Sequence, residues 1–185
     1  MSSKIPRLSL DQMAPELAKK LQPRVERLGY LGEFFQCLAN EPKPLLSFMQ
    51  FTEDLKDALP DNLTEVVALT VAKETGNDYE RHQHERLALK LGFTKEWIVW
   101  VLSLLGKEAS GGMKPEEAAV QRLALAMIRS NGKKSSKEVD TVVKKIGPQK
   151  TVAVLLLVGR YMAHALAVNA LELKPPVPSP FEDGK

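Results

Sequence analysis

The sequence has almost no cysteine: Cys37 is the single one in 185 residues. A disulfide within the chain is therefore excluded, and so is any reaction that needs two thiols of one chain, one to attack and one to resolve. Charge of one sign is not in excess. The formal net charge is +3 and the basic residues are spread rather than gathered in blocks, which argues against a nucleic-acid partner. The first twenty or so residues lack the apolar core of a signal peptide. The longest apolar run, Thr151 to Gly159, is shorter than a bilayer span and soon meets Arg160. These absences predict a cytoplasmic protein with no membrane contact. The apolar-polar alternation of strands is missing and no internal repeat stands out, so the fold class expected is all-α.

What is present fits one globular domain over residues 1–185, with 44% hydrophobic and 26% charged residues. Residues 1–39 read as an N-terminal helical arm. Its first nine residues are extended, Asp11 caps a helix to Leu28 that Pro23 splits or kinks, and Leu31 to Ala39 forms a short helix. Residues 40–44 read as a connector, and Leu45 to Leu59 as an amphipathic helix. Pro60 to Asn62 reads as a turn. Thr64 opens a helix that Gly76 closes; Asn77 or Asp78 caps the next, which runs to Gly92. Thr94 caps a further helix, Ser110 to Gly112 is a loose link, and Pro115 starts a helix through Arg129. Ser135 or Ser136 caps one to Ile146. After Gly147-Pro148 a long helix, apolar nearly all round, runs to about Leu173; such a helix belongs inside a domain or between subunits. The proline-rich tail, residues 174–185, reads as an arm lying on a neighbour, or as disordered.

The chemistry-bearing stretch is Thr64 to Gly92. Asn77, Glu80 and His84 are spaced i, i+3, i+7, which puts them on one helical face, and Leu87, Ala88 and Leu91 continue that side. A carboxylate and an imidazole leading onto a buried stripe must be paired. His82 lies about 200° from His84 around the helix, so it reads as a surface or interface residue.

With Glu65 one helix earlier and His84 following Asp78-Tyr79-Glu80, the stretch resembles the alkylhydroperoxidase D / carboxymuconolactone decarboxylase superfamily, over roughly residues 40 to 173. The family pattern is a Glu on one helix, a C-x-x-C opening the next, and a His one turn later. Here Asn77 to Glu80 fills the C-x-x-C place without cysteine, as in the decarboxylase branch. A C-terminal family string is matched by Gly159, Tyr161 and Asn169, with Arg160 replacing one Tyr. The resemblance implies an alkylhydroperoxidase D-like helical bundle of about seven to nine helices. It also implies a lyase or isomerase acting on a small lactone or carbonyl acid, as in aromatic compound catabolism.

On that reading His84 is the general acid/base, and Glu65 and Glu80 set its charge and orientation. Asn77, Tyr79 and Arg160 are candidate substrate-binding residues. Each has a plainer alternative. Glu65 fits a helix N-terminus, Glu80 a surface ion pair with Lys73 or Arg81, Tyr79 the core, and Arg160 a subunit-interface ion pair. Glu65, Glu80 and His84 lack a fourth metal ligand, so no metal and no other cofactor is expected. Peroxidase chemistry is not expected, because the cysteine pair is absent. The rival reading is a catalytically inert binding or scaffold member of the family. Either reading predicts a homo-oligomer, a dimer, trimer or hexamer.

Overall fold

Ten consecutive residues of helix α4 (Asp61–Glu74), Leu63 through Ala72, are buried. That is why its sequence shows little amphipathic contrast: helices cover it on every side. In the computed structural model, which describes residues 5–110 and 112–181, nine α-helices and no strand occur among the described residues. Around α4 stand α1 (Pro15–Leu28), α2 (Glu33–Leu38), α3 (Pro42–Ala58), α5 (Asp78–Lys90), α6 (Lys95–Leu102), α7 (Pro115–Ser130), α8 (Ser136–Ile146) and α9 (Pro148–Ala170). A short 3-10 turn, Leu10–Gln12, precedes α1. The expectations for residues 1–4, 111 and 182–185 lie outside the described residues.

Several boundaries differ from the sequence reading, and proline explains most of them. Pro23 neither splits nor ends α1. Pro42 and Pro44 fall in the first turn of α3, where no amide hydrogen is needed, so the expected connector is helix from Pro42 on. Asp61 and Asn62 are likewise helical. The Pro60 carbonyl accepts from the amides of Leu63 and Thr64 and so starts α4 a turn early. Thr64 is no cap: its hydroxyl donates back to the Pro60 carbonyl. The caps on the next two helices form with side-chain bonds. Asn77 Oδ1 accepts from the Glu80 amide and Thr94 Oγ1 from the Trp97 amide.

Two apolar clusters result. The larger gathers α4 with the inner faces of α5 to α9 and includes Val67, Leu69, Leu123, Leu157 and Tyr161. The smaller lies under α1 to α3 and includes Leu17, Leu21, Phe34, Cys37 and Tyr79. Truncating a fully buried leucine such as Leu69 or Leu123 to alanine costs about 2–5 kcal/mol. The buried carboxylate of Glu117 is structural. It accepts from Trp97 Nε1, Asn62 Nδ2 and the Lys114 amide, and ties α4, α6 and α7 together.

Helix α9, at 23 residues, is long and apolar enough to cross a membrane, and 56% of its most apolar 18 residues is buried within the protein. The expectation that no stretch reaches that length is corrected here, because α9 continues apolar past Arg160. Along α9 runs a narrow exposed stripe: Val152, Leu156, Gly159, Ala163, Leu166 and Ala170. The alternating spacing of four and three is that of a helix-pairing seam.

Candidate active site

The acid–base cluster sits where the two apolar clusters meet. Glu65 lies one turn inside α4 and is 2% exposed, so it is not a first-turn acid placed for the helix dipole. Its Oε2 is 2.8 Å from His84 Nδ1 on α5. His84 Nε2 lies 3.0 Å from Glu80 Oε2 and 3.2 Å from the Tyr161 hydroxyl on α9. Glu80 Oε1 in turn is 2.9 Å from His164 Nε2, also on α9. Three helices thus bring two carboxylates and two imidazoles into one buried row. The surface ion pair open to Glu80 in the sequence is not what forms.

Charge is distributed unevenly along this row. Burial disfavours the imidazolium of His84, but Glu65 and Glu80 outweigh it and raise its pKa to about 9. Burial likewise opposes ionisation of Glu80, yet its imidazole neighbours His164 and His84 hold it well below the usual carboxylate range. The two imidazoles do not share the cationic role. Burial lowers His164 beyond what Glu80 restores, and the cations at Arg160 and His84 lower it further. The stable arrangement at neutral pH is an imidazolium at His84, a carboxylate at Glu80 and a neutral His164. Burial pushes the Tyr161 phenol far up, so it stays protonated.

Glu80 and His84 line a cavity of about 310 Å³. Its other walls are basic: Arg24 and Arg27 from α1, Lys56 from α3, and Arg86 and Lys90 from α5. Burial lowers Arg24 and Lys56, and each feels the other cations around it. Lys56 is exposed and lines this cavity. Arg24 lies over the Phe35 ring at 4.7 Å.

The remaining wall comes from the C-terminal strap, residues 174–181. Val177 lines the cavity. Its carbonyl lies 3.2 Å from His82 Nδ1, and the Pro178 carbonyl accepts from Arg86 Nε at 2.8 Å. Ser179 Oγ donates to Glu85 Oε2 at 2.5 Å, and Arg81 Nη1 donates to Glu85 Oε1 at 2.8 Å. The described part of the tail therefore lies on this chain's own α5, not on a neighbour. An extended proline-rich segment has free carbonyls, and α5 presents donors to them. His82 is covered by the strap and 6% exposed, which corrects its reading as a surface residue.

The three residues expected to bind substrate stand elsewhere. Asn77 is spent on its cap. The Tyr79 hydroxyl accepts from the Phe34 amide and occupies the place a Cβ on Gly32 would take, so Tyr79 is a packing residue with Gly32 as its seat. Arg160 lies behind the cluster; its Nε donates to Thr52 Oγ1, and its guanidinium covers the rings of Phe48 and Tyr161 at 4.9 and 4.3 Å. None of the three lines the basic cavity.

The carboxymuconolactone decarboxylase family profile matches residues 42–124, which hold both Glu65 and His84. The fold is that of alkylhydroperoxidase D-like proteins. A peroxidase-related protein from Ralstonia eutropha JMP134, an alkylhydroperoxidase D core, superposes with a TM-score of 0.79 at 12% identity, covering 94% of each chain. A peroxidase-related protein from Silicibacter sp. TM1040 gives 0.75 at 14% identity, covering 95% of this chain and 94% of that one. The debrominase Bmp8, in complex with 2,3,4-tribromopyrrole, gives 0.74 at 13% identity, covering 94% and 92%. Residues 42–124 are thus similar to the carboxymuconolactone decarboxylase family, and the fold of the chain is alkylhydroperoxidase D-like. No curated protein matches it in sequence.

The places that the family pattern gives to cysteines are held by Asn77 and Glu80, and Cys37 is buried in α2. The sequence reading gave no site role to Tyr161, His164, Arg24 or Lys56. Tyr161 and His164 sit on a helix so apolar that its polar residues could have been read as pointing into a site. Arg24 and Lys56 carry no local signal at all; only the packing of α1 and α3 brings them to α5. Among the described residues no group of three or more His, Cys, Asp or Glu side chains is arranged to hold a metal ion.

Proposed function

We propose that the protein is a cofactor-free lyase or isomerase of the carboxymuconolactone decarboxylase type, acting by general acid–base chemistry on a small anionic lactone or carbonyl acid. The observation that carries this reading is the His84 imidazolium, buried between Glu65 and Glu80 and bordering a cavity with five cationic side chains. Such a cavity attracts a carboxylate substrate, and Arg24 and Lys56 answer the repulsion that Glu80 would otherwise exert on it.

In the decarboxylation, the bond between the carboxylate and the ring carbon breaks and its electron pair moves into the conjugated carbonyl. The dienolate oxygen is stabilised by the cavity cations. His84 then delivers its Nε2 proton to carbon, with Glu65 orienting the ring through Nδ1, and solvent restores the proton. Asn77, Tyr79 and Arg160 act in this reading by support: Asn77 and Tyr79 fix the start of α5, and Arg160 braces Tyr161.

The same reading takes the protein as a cytoplasmic homo-oligomer. The exposed seam on α9, with Val152 54%, Leu156 47% and Leu166 66% exposed, favours self-association. An inert scaffold would share that seam, and it has one further observation in its favour: both His84 nitrogens already meet protein groups. Ultraviolet-monitored turnover of 4-carboxymuconolactone separates the two. The enzyme reading expects turnover in the wild type and a loss of about 10²–10⁴-fold in His84→Ala. Equal rates in wild type and variant would remove His84 from the chemistry.

A further inference from the structure

His164 has no step in the proposed reaction, yet it is built into the site. The residue is 2% exposed. Its ring stacks on Phe34, with centroids 3.9 Å apart and planes 27° apart, and it lies 6.0 Å from the ring of Tyr79. These contacts fix the direction of the imidazole edge. Nε2 is aimed at Glu80 Oε1, while Nδ1 is buried with no hydrogen-bond partner among the described residues. A histidine kept only for packing would be expected to satisfy both nitrogens or to be replaced by an apolar residue. This one spends its single hydrogen bond on a carboxylate of the site.

We propose that His164 is a positioning residue: it holds the Glu80 carboxylate in the orientation that meets His84, so the acid–base unit has four members, Glu65, His84, Glu80 and His164. The proposal rests on the reading of His84 as the working acid, and extends it to the far side of Glu80. The geometry gives the reason. Glu80 is clamped at both oxygens, Oε2 by His84 on its own helix and Oε1 by His164 from α9. Arg24 stands across the cavity and attracts the same carboxylate. Without the bond from α9, Glu80 is free to turn toward that cation, leaving His84 with Glu65 alone.

The groups facing His164 also define its form. Glu80 faces it from α5, with His84 beyond. Arg160 precedes it by one turn on α9, and Phe34 and the Tyr79 phenol complete the enclosure. Burial of the ring and the cations at Arg160 and His84 disfavour a charge on His164. His164 therefore donates Nε2–H to Glu80 as a neutral ring and leaves a bare lone pair on Nδ1, the less costly group to bury unpaired.

The test is a pH titration of nitrogen-15 histidine-labelled full-length protein by NMR, which is simple to assign with three histidines in the chain. In the wild type, His164 is expected as the neutral Nε2–H tautomer between about pH 6 and 8. In His164→Leu the midpoint of His84 should fall by about one pH unit or more, as Glu80 leaves. In His164→Gln, whose amide can reach the same oxygen, it should move by only a few tenths. With 4-carboxymuconolactone as substrate, kcat should fall about tenfold in the Leu variant with KM little changed, and the Gln variant should recover most of it. An imidazolium at His164 at neutral pH, an unchanged His84 midpoint in the Leu variant, or equal behaviour of Leu and Gln would overturn the proposal. Should the Leu variant fail to fold, the wild-type tautomer and the Gln variant decide it. Because the titration needs no substrate, absent turnover with the expected titration sinks only the reaction, and an unchanged titration in an active enzyme sinks only the role of His164.

Discussion

Glu65 and His84 meet across the α4–α5 pair, Oε2 to Nδ1 at 2.8 Å, with neither side chain more than 8% exposed. A contact between packed helices thereby sets a protonation state. The carboxylate orients the ring and supplies the first of the two charges that keep it protonated at neutral pH.

Glu65→Gln should lower the His84 midpoint from about 9 by roughly one to two pH units. The amide keeps the shape and one hydrogen bond but loses the charge. NMR titration of the imidazole checks this, and an unchanged midpoint would mean that Glu80 alone sustains the cation.

Stability should decline on both sides of neutrality. The folded pKa of His84 is raised above the ordinary value of 6.5, so its contribution is complete below that value and disappears as pH rises through about 9. A shift of that size is worth on the order of 3 kcal/mol. Glu80 behaves oppositely, contributing above the ordinary carboxylate range and losing that contribution as pH falls toward its depressed folded value. His164, held neutral, adds a further acid-side loss below about 6.5, where the unfolded chain takes a proton that the folded site refuses. Thermal melts from about pH 5 to 10 should peak near neutrality. His84→Gln should flatten the alkaline limb; a melting temperature still rising above pH 9 would refute the assignment.

Gly159 sits mid-helix on the exposed seam of α9, where a Cβ would meet nothing within 4 Å. Gly159→Ala should therefore stabilise the isolated protomer by about 0.5–1 kcal/mol, as alanine does in a helix interior. If two protomers pair along this seam, the same methyl holds the helices apart and weakens association, and Leu166→Glu abolishes it. Sedimentation velocity at graded concentration distinguishes these effects. An unchanged mass for Leu166→Glu would show that the seam is not an interface.

Much of the fold was legible because its signals are local. Caps at Asn77 and Thr94, and the stop at Gly147, act within one turn of the chain. Glu65 and His84 were legible through their separation on adjacent helices, which the family pattern makes recognisable. Prolines misled, since the same ring that ends a helix also fits its first turn, as at Pro42 and Pro44, or the position just before it, as at Pro60. The cations of the cavity were hidden for a different reason: Arg24, Lys56 and Arg86 come together only when α1, α3 and α5 pack. The tail was misjudged because its anchor is a buried carboxylate, Glu85, far away in sequence, and nothing in the tail itself names that helix.

Helix α5 is held along two opposite edges. One edge carries Glu80 and His84 into the acid–base row; the other carries His82 and Glu85 against the strap, while Arg86 reaches from the cavity to the strap's backbone. In the proposed reaction, proton transfer and the shape of the cavity would then depend on separate parts of one element. If the proposed chemistry holds, substitutions near Val177 would reshape the cavity wall without touching the acid–base row, so the C-terminal strap is where an engineer would change substrate choice first.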